Sequence, residues 1–223
     1  MGTVTLNKNN RLFWLGRYAE RLYQDVEAIR DMLDSAIDSE PDFEKICKKI
    51  GVVNDFNSVE DFCYRCCFNK NIQQSVMYSA HAMIGNGMVL REVIGSQTLS
   101  YLQMAVIAVE SAENSPSPAM AFQWVLDDIM AFRGCYSELV ASQVVRNTIK
   151  AGASVERIGA MVKTGMGGPS LEYELEKLTD RMKKSKLKHS NASLQTIKKF
   201  TDKEDNFSDT WALLSAVESL LIV

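Results

Sequence analysis

Proline, histidine, basic excess and long apolar runs are all scarce in this chain of 223 residues. Four prolines and twelve glycines leave most of it free to continue in helix, because an interior proline costs about 3 kcal/mol and a glycine about 1 kcal/mol. No stretch approaches the roughly 20 apolar residues that span a bilayer. The first ten residues are polar and hold no apolar signal core, and Gly2 does not open a myristoylation motif because Leu6 stands at the sixth position. The expectation is a cytoplasmic chain with no membrane partner. A net charge of −3 and a pI near 5.5 argue against general nucleic-acid binding, which requires a basic face.

The two histidines, His81 and His189, make no Glu-x-x-His pair of the di-iron kind and no visible nucleophile–histidine–acid arrangement. Five cysteines are an odd number without secretory context, so they read as reduced thiols. Cys63-x2-Cys66-Cys67 invites a zinc reading, but a closed site needs four ligands and no second Cys/His pair has ligand spacing. Buried thiols are favoured, with no metal and no cofactor expected. No nucleotide-binding loop is present: Gly165, Gly167 and Gly168 follow a helical stretch and precede Pro169, the wrong context for a phosphate loop. The 46% hydrophobic and 24% charged fractions are those of an ordinary globule, and the length suits a single domain, 1–223.

What is present is a repeat. Gly-x3-Glu-Arg occurs at Gly16, Glu20 and Arg21, and again 136 residues later at Gly152, Glu156 and Arg157. The apolar frame repeats with it. Leu12, Leu15, Ala19, Leu22 and Val26 step by three and four, and the same offset lands on Thr148, Ala151, Val155, Ile158 and Val162. Helical side chains lean toward the N-terminus, so each glutamate lies over the turn holding its glycine. A carboxylate beside an apolar seam needs a cationic or hydrogen-bonding partner. Two copies facing each other about a pseudo-twofold axis would exchange such partners reciprocally, Glu20 meeting Arg157 and Glu156 meeting Arg21.

The remaining pattern is helical. A first helix is expected from Asn9 or Asn10, a possible N-cap, to about Ile37, with a stripe continuing through Ile29 and Leu33. Short helices follow at Phe43–Ile50, closed by Gly51, and from Ser58, which with Asp61 approximates a capping box, through Phe68. A long helix from Ile72 to Glu113 is interrupted by Gly85, Gly87 and Gly95. After the Asn114–Pro118 loop come helices near Ala119–Leu139 and Ala141–Thr164, the second stopped by the glycines before Pro169. Leu171–Lys188 ends in Lys183, Lys184, Lys186 and Lys188, a solvated helix end, and Phe207–Val223 supplies a closing helix. Methionines 77, 83, 88 and 104 read as adaptable core filling. Alternating strand patterns do not accumulate. The expectation is an all-α, antiparallel multi-helix bundle with an internal helix repeat, in which about 8–165 forms the core bundle and 170–223 packs on it.

At the first repeat, Phe13-Trp14-Leu15-Gly16-Arg17-Tyr18-Ala19-Glu20-Arg21 resembles the opening signature of the bacterial alpha-E domain family, close to L-[FY]-W-[LM]-G-R-Y-x-E-R. Gly152 to Arg157 resembles that family's late second copy. Between them Asn71–Val76, Ile84–Glu92 and Gly95–Leu99 stand in place of three further phrases. Departures are Gly85 and Met88 for a glutamate and an arginine, Gln97 for an acid, and Ala153-Ser154 for Arg-Tyr. The resemblance implies a helical fold and an association with ATP-grasp-type ligases and transglutaminase-like proteins. It also implies a role in making or processing an amide-linked peptide or tag.

Together these observations nominate Arg17, Glu20, Arg21, Asn86, Arg91, Glu92, Glu156 and Arg157 as the lining of a polar pocket between the repeated helices. There the arginines would hold the carboxylate of a small peptide or amino acid. Three readings follow: an accessory binding partner of an amide-bond-forming system, an enzyme using Glu20 or Glu156 as general base, and a structural adaptor whose charges clamp helices. The first is favoured; no catalytic residue is assigned.

Overall fold

A computed structural model describes residues 6–185, 187–201 and 210–222. The described residues form eleven α-helices and no strand: α1 Leu6–Ser35, α2 Phe43–Ile50, α3 Val59–Phe62, α4 Val76–Val89, α5 Arg91–Ile94, α6 Ser96–Glu113, α7 Pro118–Leu139, α8 Gln143–Thr164, α9 Pro169–Ser185, α10 Asn191–Thr201 and α11 Thr210–Glu218. The all-α expectation holds. Within the described residues no helix is long and apolar enough to cross a membrane. The chain's contacts divide it into two compact units, one built from Met1–Arg17 with Ser142–Val223, the other from Tyr18–Ala141.

In the first unit, α8 packs on α9 and α11, and α10 packs on both α9 and α11. Its core gathers Phe13 of α1, Val155, Ile158 and Val162 of α8, Leu171, Leu175 and Leu178 of α9, Ile197 of α10, and Leu213 and Val217 of α11. Ser142 caps α8 by accepting the Val145 N–H at 3.4 Å. Gly165 ends the helix in a left-handed conformation, and Met166 N–H closes on the Met161 carbonyl at 2.8 Å. The helix over Asn191–Thr201 leaves little trace in the sequence, where its apolar signal is the short Leu194, Ile197, Phe200 series. Lys183 and Lys184 lie in the last turn of α9; Lys186, and the start of the expected closing helix at Phe207, lie outside the described residues.

In the second unit α6 and α7 form an antiparallel pair, and α4 packs on α6. Its core includes Leu22, Val26 and Ile29 of α1 together with Phe62, Met83, Leu90, Leu102, Phe122, Ile129 and Phe132, all essentially inaccessible. The long helix expected over 72–113 is three helices. It breaks at Leu90 and again at Gly95, whose φ of 84° and ψ of 155° suit glycine almost alone. Gly87 is explained differently: a Cβ there would press on Leu102 and Leu99, while one on Gly85 would meet open space. The Ser58 cap is present, accepting the Asp61 N–H at 3.2 Å. Beyond α3, however, Cys63–Phe68 winds into a π-helical turn that no residue pattern announced.

Two further expectations are corrected. The first helix begins at Leu6, so Asn9 and Asn10 lie within its opening turns and do not cap it. Met77 and Met83 are core residues as expected, but Met88 and Met104 are about half exposed, on the outer faces of α4 and α6.

Candidate functional site

The duplicated helices meet in the first unit, and the glycines are the reason they can. A Cβ on Gly16 would collide with the carbonyl oxygen of Ile149; one on Gly152 would collide with the carbonyl oxygen of Phe13. Gly16 and Gly152 occupy equivalent places in the repeat, as do Phe13 and Ile149. The two contacts are therefore mates under a local twofold axis. Moving up α1 from Phe13 to Gly16 moves down α8 from Gly152 to Ile149, so the helices cross antiparallel, backbone against backbone. Each glycine's Cα–H stands where a weak hydrogen bond to the facing carbonyl can form. All ten residues of the repeated apolar frame are buried.

Arg17 sits one residue beyond this crossing with only 3% of its surface exposed. Its Nε donates to Glu156 Oε2 at 2.8 Å. Its Nη1 and Nη2 donate to the two carboxylate oxygens of Glu218, at the end of α11, each at 2.8 Å. The guanidinium also lies over the Trp14 ring, 4.7 Å from its centroid. Burial acts to lower the affinity of Arg17 for its proton, but hydrogen bonding to Glu218 and the charges of Glu156 and Glu218 outweigh it and push the pKa upward. The two carboxylates differ in exposure: side-chain exposure is 9% for Glu156 and 60% for Glu218.

The other half of the second motif turns to α9. Arg157 Nε donates to Glu174 Oε1 at 3.0 Å. Glu174, 4% exposed, also accepts from Ser154 Oγ at 2.6 Å, from Lys177 Nζ at 3.1 Å and from Arg181 Nη1 at 3.4 Å. Arg181 is held in turn by Ser154 and by the Lys150 carbonyl at 3.2 Å. Burial opposes ionisation of Glu174, yet the Ser154 hydrogen bond, the Arg157 charge and the Lys177 hydrogen bond together hold its carboxyl below the ordinary carboxylate range.

The first Glu-Arg pair belongs to the second unit. Glu20, 3% exposed, accepts from Arg133 Nη2 of α7 at 2.8 Å and from Gln24 Nε2 at 3.1 Å. Arg133 lies over the Tyr23 ring at 4.2 Å, and Arg21 over the Tyr18 ring at 5.5 Å. Asn86 donates back to the Ala82 carbonyl of its own helix at 2.9 Å. Arg91 and Glu92 are exposed on α5, where Arg91 Nε reaches Ser96 Oγ at 3.2 Å.

Arg17 and Glu156 are thus brought together, and Arg157 joins the neighbouring cluster. Residues that sequence reasoning passed over complete the sites: Arg133, Ser154, Glu174, Arg181 and Glu218. Glu174 carried a signal, since it lies on the Leu171, Leu175, Leu178, Met182 stripe as a carboxylate at an apolar position. Glu218 carried none.

Residues 9–168 match the family model described as a predicted alpha-helical domain with a conserved ER motif. The chain belongs to the Alpha-E family. It contains two Glu-Arg steps, Glu20-Arg21 and Glu156-Arg157, and both acids are buried in ion pairs. No curated protein and no solved structure matches it.

The cysteines are free thiols, with Cys47, Cys66 and Cys67 buried. Burial pushes Cys66 up to about 12 and raises Cys47 and Cys67, whereas the hydrogen bond from Cys67 lowers Cys63. Among the described residues no three or more of His, Cys, Asp and Glu come together to hold a metal ion.

Proposed function

We propose that this Alpha-E protein is an accessory, binding component of an amide-bond-forming peptide-modification system. Its partner would be an ATP-grasp-type ligase or a transglutaminase-like protein, its place of action the cytoplasm, and its ligand the carboxylate of a small peptide or amino acid. The observation that carries the reading is the Arg17 fork. A buried guanidinium, fixed through Nε by Glu156, offers Nη1 and Nη2 to a carboxylate that is itself largely in water. Bidentate geometry of this kind selects a carboxylate over an amide. Glu218 fills the fork from solvent, and a ligand carboxylate would take its place.

The enzyme reading draws no support from the same geometry. Glu20 and Glu156 are 3% and 8% exposed and are engaged by Arg133 and Arg17, whereas a general base needs access to the proton it removes. The adaptor reading has one observation in its favour, the closed cluster around Glu174.

Calorimetric titration with N-acetyl-alanyl-alanine and with its C-terminal amide separates binding component from adaptor. Glu218→Gln should bind the acid at least about tenfold more tightly than the unaltered chain does, and Arg17→Lys should lose it. The amide should bind neither. A Glu218→Gln protein that keeps its fold and ignores both peptides would leave the adaptor.

A further inference from the structure

The α6–α7 pair carries a feature unrelated to the Glu-Arg motifs. Met104 and Ile107 on α6 and Met120 and Trp124 on α7 project outward, with exposures of 49%, 60%, 72% and 67%. They form two apolar ridges flanking a groove that Ala108 and Ala121 also line, closed at one end by Ser115-Pro116-Ser117. Monomeric soluble proteins rarely leave large contiguous side chains of this kind to water, and Trp and Met are the residues that interfaces favour.

Charge says what covers them. Between Arg91 and Arg133 the sequence has no lysine or arginine. The pair's exposed charges are Glu110, Glu113, Asp127 and Glu138, with Asp128 lining the groove, and its one cation, Arg133, is held by Glu20 at 2.8 Å. Facing groups from other elements add little positive charge: Arg30 of α1 spends itself on Asp31 at 2.8 Å and Gln123 at 2.7 Å, and His81 of α4 lies 3.6 Å from Glu110. A second copy docking symmetrically would set this acidic face against itself. An anionic membrane surface would be repelled in the same way.

We infer that the α6–α7 groove is a docking surface for a cationic amphipathic helix of a partner protein. Its apolar side chains at i, i+3 and i+4 spacing would seat between the Met104–Ile107 and Met120–Trp124 ridges, and its lysines or arginines would face Asp128 and the acids around it. Trp124 is the anchor, being the largest exposed side chain in the groove.

The probe is a labelled peptide of about 18 residues, five helical turns, with leucine on one face and lysine on the other. It is compared by fluorescence anisotropy with an analogue carrying glutamate for every lysine. Trp124→Ala, Asp128→Asn and Asp128→Lys are the variants, their folds verified by circular dichroism. The inference expects binding of the lysine peptide alone, weakened roughly tenfold or more by Trp124→Ala and by Asp128→Lys, less by Asp128→Asn, and falling with added salt. Equal affinity for the two peptides would overturn it, as would indifference to Trp124 and Asp128. Concentration-dependent self-association that Trp124→Ala abolishes, seen by sedimentation, would assign the groove to a second copy instead. Trp124-dependent binding to phosphatidylserine vesicles would assign it to a membrane surface.

Discussion

Two buried acids in the first unit serve different ends because their partners are shared differently: Glu174 gathers Arg157, Lys177 and Arg181 to itself, whereas Glu156 shares Arg17 with the 60% exposed Glu218. Glu174 is surrounded by donors from its own helix and from α8, and nothing it accepts from is a free solvent group. Removing its charge strands Arg157, Lys177 and Arg181 around a neutral amide, so Glu174→Gln should cost about 3 kcal/mol at pH 7. The sign of the pH dependence follows from the lowered carboxyl. Its folded value lies beneath the ordinary 4.5, so between the two values the unfolded chain binds the proton and the folded chain does not. The contribution of Glu174 is complete above the ordinary value and lost as pH falls through the folded one. Urea midpoints for Glu174→Gln and the unaltered chain should therefore differ most near neutrality and draw together as pH falls below the ordinary carboxylate value of 4.5. A gap that does not narrow anywhere on the acid side of that value would contradict the assignment. Glu156 instead shares Arg17 with the exposed Glu218, and that asymmetry is what makes Arg17 a candidate reader of carboxylates.

At the scale of the elements, glycine has opposite meanings within one stretch of chain. Gly95 joins α5 to α6 with φ at 84°, a conformation that disfavours any Cβ, so Gly95→Ala should destabilise by about 2 kcal/mol. Gly85 lies inside α4 with open space where its side chain would be, so Gly85→Ala should stabilise by about 0.5–1 kcal/mol through helix propensity. Denaturant midpoints moving in opposite directions would confirm the distinction; a loss at both positions would mean Gly85 has a contact it is not seen to make. The sequence predicts three interruptions over 72–113 but not their kinds, because propensity marks a glycine without saying whether conformation, packing or neither requires it. The π-helical turn at Cys63–Phe68 was illegible for a related reason: a one-residue widening of a helix leaves no periodic trace in six residues.

For the molecule as a whole, the apolar register was legible. The frame positions Leu12, Leu15, Ala19, Leu22 and Val26, and their mates Thr148, Ala151, Val155, Ile158 and Val162, are buried as the repeat required, since burial periodicity is written residue by residue. Cross-helix partners were not: Arg133, Glu174 and Glu218 lie 113, 18 and 62 residues from the motif glutamates they serve or adjoin, and no local spacing encodes such distances. The repeat nonetheless implied that its copies meet, and the antiparallel crossing at Gly16 and Gly152 is the contact on which the Arg17 site is built. Its most direct test is the stability of Gly16→Ala, Gly152→Ala and the double variant by equilibrium denaturation. Each single change should cost about 3 kcal/mol, because a carbonyl oxygen cannot rotate out of the way as a side chain can. The double variant should cost clearly less than the sum, because separating the helices once relieves both collisions. Two alanine variants as stable as the unaltered chain would show that the duplicated helices do not cross backbone to backbone at these glycines.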